Sequence, residues 1–303
     1  MDREDLAILA VGDNVVDKYL SRGKMYPGGQ CVNTCVYAQE NGVRAAYLGV
    51  CGEGVEARLI EDTLNAKRID HSRCRYAPGE GGFALVTLQD GDRVFLGSNK
   101  GGVARTHLLE LTQEDLEYAK GFSLVYFNCN GFADRELPKL KAAGLPIAFD
   151  FSDRWTPEYL QATLPWVDIA LLSCSHLPAG QREQTLDQAL RLGAKIAVAT
   201  AGQEGSWAKW EGNLFHAPAA QAAQVADTMG AGDAYFAAFL CSLLQTAGKE
   251  GLFARDLSQR IPRAMEQAAA YAAKTCALEG AFGGGVPLAG RTELTPLEKD
   301  LSL

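Results

Sequence analysis

Ile169-Ala170-Leu171-Leu172-Ser173 and Ile196-Ala197-Val198-Ala199-Thr200 are short apolar runs, and Gln184 to Leu192 between them has helical spacing. A strand, a helix and a strand in this order make a parallel pair, because the helix carries the chain back to the starting edge. The same rhythm extends outward. Ala7 to Val11 reads as a first strand, Gln30 to Glu40 as a helix stopped at Gly42, and Ala45 to Val50 as the next strand. Leu124 to Asn128 and Ile147 to Phe151 are further strands, with a helix over Asp134 to Ala143 between them. Thr112-Gln113-Glu114-Asp115 has the residues of a capped helix start. The repeated alternation predicts an α/β protein with a parallel sheet and helices on both faces.

Two segments break the rhythm. Phe83 to Gln89 and Arg93 to Ser98 flank Asp90-Gly91-Asp92, which suits a hairpin turn. With Tyr19 to Met25 they are expected to form a small antiparallel sheet outside the main one. Ser206 to Trp210 and Asn213 to His216, around Glu211-Gly212, read as a second hairpin at the rim. From Gly283-Gly284-Gly285-Val286-Pro287 onward the chain reads as loop.

The 303 residues are 47% hydrophobic and 22% charged, which suits a soluble globular protein with a substantial core. A formal net charge of −8 argues against nucleic acid or an anionic membrane as the main partner. No signal-peptide pattern precedes Leu6 to Val11 and no apolar run matches a bilayer, so a cytoplasmic location is expected. The eight cysteines are scattered without a CxxC pair, as in proteins that keep their thiols reduced. The four histidines are equally dispersed.

Ligands of an open parallel sheet bind at the carboxyl ends of its strands. That rule collects Gly12 to Asp17, Asp150 to Arg154, Ser173 to His176 and Thr200 to Gly205 on one side. The segment richest in chemistry is Asp227-Thr228-Met229-Gly230-Ala231-Gly232-Asp233, followed by a helix over Ala234 to Thr246. Amides at a helix start lack intrahelical partners, and the helix dipole favours an anion there. Gly230, Ala231 and Gly232 can then hold a transferring phosphoryl group while Asp233 takes the proton of an attacking hydroxyl. On local features alone, the same residues also read as a helix cap with a first-turn acid. Gly28-Gly29-Gln30-Cys31-Val32-Asn33 is a second glycine-rich helix start, and Thr200-Ala201-Gly202-Gln203-Glu204-Gly205 a third loop that admits close backbone approach. No GxxxxGK[ST] loop is present, and no GxGxxG follows the first strand, so a nicotinamide dehydrogenase lacks its phosphate-binding fingerprint.

These residues resemble the ribokinase-like, or PfkB, carbohydrate kinases. The D-T-x-G-A-G-D signature matches at Asp227, Thr228, Gly230, Ala231, Gly232 and Asp233. The amino-terminal signature matches at Gly28, Gly29 and Asn33, the first-strand motif at Gly12 and Asp17, and T-x-G-x-x-G at Thr200, Gly202 and Gly205. The resemblance runs from about Leu6 to Ala281. It implies one Rossmann-like domain over 1–303, a three-layer sandwich with a mostly parallel sheet and a small β-sheet lid from about 19–25 and 83–98. It implies ATP with Mg²⁺ as donor, a primary sugar hydroxyl as acceptor, and a possible homodimer through the lid.

By residue matching, Asp233 is the base and Gly230, Ala231 and Gly232 the anion hole. Asp17, Gly28, Gly29 and Asn33 hold sugar hydroxyls. Thr200, Gly202 and Gly205, with Asp227 and Thr228, flank the nucleotide. Within the family, Gly12 to Asp17, Asp92 to Phe95 and Asp150-Phe151-Ser152-Asp153-Arg154-Trp155 resemble fructoselysine 6-kinases most. An acidic pair, Asp13 and Asp17, suits a substrate bearing a secondary ammonium, and Arg93 or Arg154 suits its carboxylate. The rival readings are a kinase for a plain sugar or nucleoside and a non-catalytic sensor on the same scaffold. One departure bears on the metal: the family's Asn-x-x-Glu is absent from Leu172-Ser173-Cys174-Ser175-His176, which leaves the protein ligands of Mg²⁺ unknown.

Overall fold

The structure, a computed structural model, describes residues 6–89, 92–247, 251–254 and 256–300. In chain order the strands are β1 (Ala7–Gly12), β2 (Val15–Tyr19), β3 (Lys24–Gly28), β4 (Arg44–Glu53), β5 (Arg75–Glu80), β6 (Phe83–Gln89), β7 (Asp92–Ser98), β8 (Leu124–Asn128), β9 (Ile147–Asp150), β10 (Ile169–Ser173), β11 (Ile196–Thr200), β12 (Ser206–Trp210), β13 (Asn213–Ala217) and β14 (Val286–Pro287). The main sheet runs β13-β12-β11-β10-β9-β8-β1-β4-β5. Only β12 and β13, at one edge, are antiparallel to their neighbours.

The apolar runs of β1, β8 and β9 are buried at every position. Such strands demand cover on both faces. Alternate residues of β1 accordingly enter different cores. Ile8 and Ala10 pack with the helices Gln30–Glu40, Ala231–Thr246 and Leu257–Thr275. Leu9 and Val11 pack with Leu137–Ala142, Pro157–Thr163 and Ala179–Leu192. The result is the expected three-layer sandwich. The capping box at Thr112 forms, with Asp115 as its reciprocal partner.

The smaller sheet runs β14-β3-β2-β6-β7. Its β2–β6 pair is parallel and the rest antiparallel, so the sheet is mixed rather than wholly antiparallel. Tyr19 to Met25 is not one strand. Leu20–Arg22 forms a 3₁₀ turn closed by Gly23 in the left-handed region (φ 59°), and the strands lie on either side. Glycine takes that φ without a Cβ clash, which lets the chain reverse there. The turn residues Asp90 and Gly91 lie outside the described residues. The tail read as loop supplies β14, which pairs with Met25 and Lys24, and a closing helix, Pro296–Asp300. Pro287 suits this edge because it has no amide to donate. β5 and the helix Leu257–Thr275 were not anticipated from the sequence; β5 is a half-exposed edge strand without an apolar run.

Lys18 of β2 pins the small sheet to the body. It is wholly buried and paired with Glu56 of the helix Gly54–Ala66. Its ammonium also donates to the Arg291 carbonyl at 2.6 Å and lies 4.5 Å from the centre of the Phe83 ring.

Candidate active site

The parallel register brings the carboxyl ends of the central strands to one edge: Asn128 lies opposite Asp150, and Ser173 opposite Thr200. Asp233 stands in the first turn of the helix Ala231–Thr246, whose N-cap is Gly230 at φ 71°. A Cβ on Gly230 would lie 2.7 Å from Ala281 Cβ and 2.8 Å from Tyr37 Oη, so glycine is required for both conformation and space. Gly232 is the opposite case, since a Cβ there would meet nothing within 4 Å. Ala231 uses its amide in a turn to the Thr228 carbonyl at 3.3 Å. The Gly232 amide has no partner among the described residues. This helix start presents a donor to an open face, the arrangement an anionic phosphoryl group needs.

Asn33, one turn into the helix Gln30–Glu40, donates from Nδ2 to Asp233 Oδ2 at 2.6 Å. The two residues are 200 positions apart in sequence. Asn33 is 4% exposed, and its Oδ1 is buried without a partner among the described residues. It is an acceptor available to a hydroxyl. Gly29, at φ 94°, lets this helix start approach the first turn, where a Cβ would sit 2.9 Å from Asn14 Cα. Gly28 leaves room for Asp17, whose Oδ2 would lie 2.7 Å from a Cβ there.

Asp13 has a different setting from that of an open substrate carboxylate. It accepts the Gln30 amide at 2.9 Å, the Cys31 amide at 3.0 Å and Asn128 Nδ2 at 2.7 Å, so it caps the helix from the turn after β1. Asp227 is similarly engaged. It accepts from Tyr19 Oη at 2.6 Å, Arg22 at 3.3 Å, the Met229 amide at 3.0 Å and the Gly280 amide at 3.2 Å, tying the small-sheet turn to the Gly230 loop. Thr228 beside it is exposed. The side chain of Arg93 lies outside the described residues.

At the end of β11, Thr200 leads into Gly202 (φ 54°), where the nearest atom to a Cβ is Ser175 Oγ at 3.9 Å. Gly205 is instead a packing glycine, because a Cβ would fall 2.3 Å from the Ala217 carbonyl oxygen. Between them Glu204 takes a two-pronged bond from Arg182, 2.7 Å on each arm. Among the described residues no three His, Cys, Asp or Glu side chains gather as a metal cage.

The sequence reading gave Asp150 no role. It is 3% exposed, and its Oδ1 accepts the Ser152 amide at 2.7 Å. Burial first, then the charge of Asp233, with a further push from Asp13, raises its pKa to about 8; the bonds from Ser152 and Gln30 oppose the rise. The folded protein therefore keeps a proton that the unfolded chain releases near pH ~4. Stability of the free protein should fall as the pH rises from about 4 to about 8, by up to about 1.4 kcal/mol per pH unit, and level off above. Asp150→Asn should remove that slope in urea unfolding; parallel slopes in the two proteins would overturn the assignment.

The description of the pfkB family of carbohydrate kinases matches residues 5–284. The chain belongs to this family. As a pfkB carbohydrate kinase it is a phosphotransferase acting on a sugar hydroxyl. It is 34% identical to the fructosamine kinase FrlD of Bacillus subtilis (strain 168), covering 93% of this chain and 95% of that one. It is 32% identical to the fructoselysine 6-kinase of Escherichia coli (strain K12), covering 91% and 99%. Among solved structures, Arabidopsis thaliana ribokinase complexed with ribose and ATP superposes with a TM-score of 0.73 at 20% identity, covering 91% of this chain and 94% of that one. At that identity the likeness speaks for the fold of this pfkB kinase.

Proposed function

We propose that this pfkB kinase transfers the γ-phosphoryl group of ATP to the 6-hydroxyl of a fructosamine, with fructoselysine as the leading candidate. The observation that carries the reading is Asp233 held by Asn33 beside the open Gly232 amide. In the reaction the acceptor oxygen bonds to the γ-phosphorus, the bond to the β-bridging oxygen breaks, and Asp233 receives the acceptor's proton. Asn33 fixes the orientation of that carboxylate. The Gly232 amide and the helix start meet charge on the transferred group. In this reading Asp17 and Asn33 Oδ1 accept sugar hydroxyls, and Thr200 and Gly202 border the nucleotide. Mg²⁺ bound with ATP would supply positive charge against the phosphates; among the described residues no three His, Cys, Asp or Glu side chains gather to hold it.

The fructosamine choice is supported by the names of the two relatives, which match nearly full length. The smaller sheet is read as a lid, with its outer strand β7 as the edge for a homodimer. All eight cysteines are free thiols, which fits a cytoplasmic enzyme.

An acceptor panel with ATP consumption as readout tests the proposal. Fructoselysine should be turned over in preference to fructose, ribose and nucleosides, and ATP loss without acceptor should stay minor. Turnover of fructose or ribose with none of fructoselysine would remove the substrate assignment.

A further inference from the structure

Three cations, Arg154, Lys100 and Arg105, lie beside this site, and among the described residues none has a carboxylate at ion-pair distance. Arg154, in the loop after β9, donates from Nη1 to Asn130 Oδ1 at 3.4 Å. Asn130, in the loop after β8, donates in turn to Gln30 Oε1 at 2.7 Å. Gln30 opens the helix that carries Asn33, so Arg154 is linked through two hydrogen bonds to the helix that positions Asp233. Lys100 lies in the loop after β7, and its neighbour Gly101 packs so closely on Phe132 that a Cβ would fall 2.7 Å from the ring. The Lys100 loop therefore abuts the loop that holds Asn130. Partial burial, then the charges of Arg154 and Arg105, hold the Lys100 ammonium below the usual lysine range.

Among the described residues, none of these three cations has a carboxylate at ion-pair distance, whereas Arg182, Lys209, Arg260 and Arg291 all do. Three of the acids nearby are engaged elsewhere, and Asp153, next to Arg154, is exposed and accepts from Ser152 Oγ at 3.3 Å. Asp13 holds the helix amides, Glu80 faces Arg291, and Asp134 accepts from Tyr159. In a chain of net charge −8, a cationic group on loops beside a site is a place for an anion on the ligand.

We infer that Arg154, set by Asn130 and Gln30, and Lys100 on the neighbouring loop bind the carboxylate of the amino-acid part of the acceptor. This rests on the proposed fructosamine acceptor, whose sugar end meets Asp233 while its amino-acid end extends toward these loops. The two residues are specificity determinants and take no part in the phosphoryl step.

The test compares fructoselysine with its decarboxylated counterpart, the fructose adduct of 1,5-diaminopentane, on wild type, Arg154→Gln, Lys100→Gln and the double variant. For fructoselysine, KM should rise at least about tenfold in each single variant, with kcat little changed. For the decarboxylated acceptor, already weaker on wild type, the substitutions should change little. Equal KM for both acceptors, unmoved by the substitutions, would overturn the carboxylate site and leave the kinase reading standing. Turnover of fructose but of neither adduct would remove the acceptor reading, and this site with it.

Discussion

Replacing Asp233 with asparagine should lower kcat by about three orders of magnitude and leave the acceptor KM within a few-fold. The amide keeps the size of the carboxylate and can still accept from Asn33, which sits 2.6 Å away. What it cannot do is take a proton from the attacking hydroxyl. An effect confined to kcat is the mark of an interaction made in the transition state alone. The substitution also removes a first-turn acid from the helix Ala231–Thr246, a loss of about 1 kcal/mol or less. Urea unfolding should therefore show a nearly unchanged fold, separating lost chemistry from lost structure. Full activity in the variant would eliminate Asp233 as the base.

The second large effect is on stability. Lys18→Met should destabilise the protein by about 3–5 kcal/mol, because it strands Glu56 as an uncompensated buried charge. The two side chains are 0% and 4% exposed, so water cannot take the place of the missing partner. The substitution also takes a donor from the Arg291 carbonyl and a cation from the Phe83 ring. Combining it with Glu56→Leu should recover much of the loss, since a buried ion pair and a well-packed apolar pair are often close in energy. Unfolding midpoints in urea for wild type, single and double variants decide the matter. A single variant as stable as wild type would show that the pair contributes nothing to anchoring the small sheet.

The strands β8, β10 and β11 and the helix Gln30–Glu40 lie where the sequence placed them, because each is a short apolar run or a periodic stretch between clear stops. Elements lacking that local signal escaped. β14 has two residues after three glycines, and β5 is a polar edge strand, so neither carries a pattern of its own. Tyr19 to Met25 was misplaced because the β-type residues on both sides of Gly23 blend into one run, and only the backbone reversal at that glycine separates them. In the site, Gly230 and Gly232 look alike in sequence. One is glycine because Ala281 and Tyr37 leave no room, the other faces open space. Asp13 and Asp17 likewise read as one acidic pair, yet Asp13 caps a helix.

By itself the sequence determined the layered α/β scaffold, the edge on which ligands bind and the motif that carries the base, since these follow from periodicity and from the chemistry of local residue types. Tertiary structure alone decided that Asp13 and Asp227 are committed to backbone amides and side chains, that burial raises the Asp150 pKa, and that Asn33 reaches Asp233. Those outcomes depend on distances between residues up to 208 positions apart and on exclusion of water, and neither quantity is encoded in any short stretch of the chain.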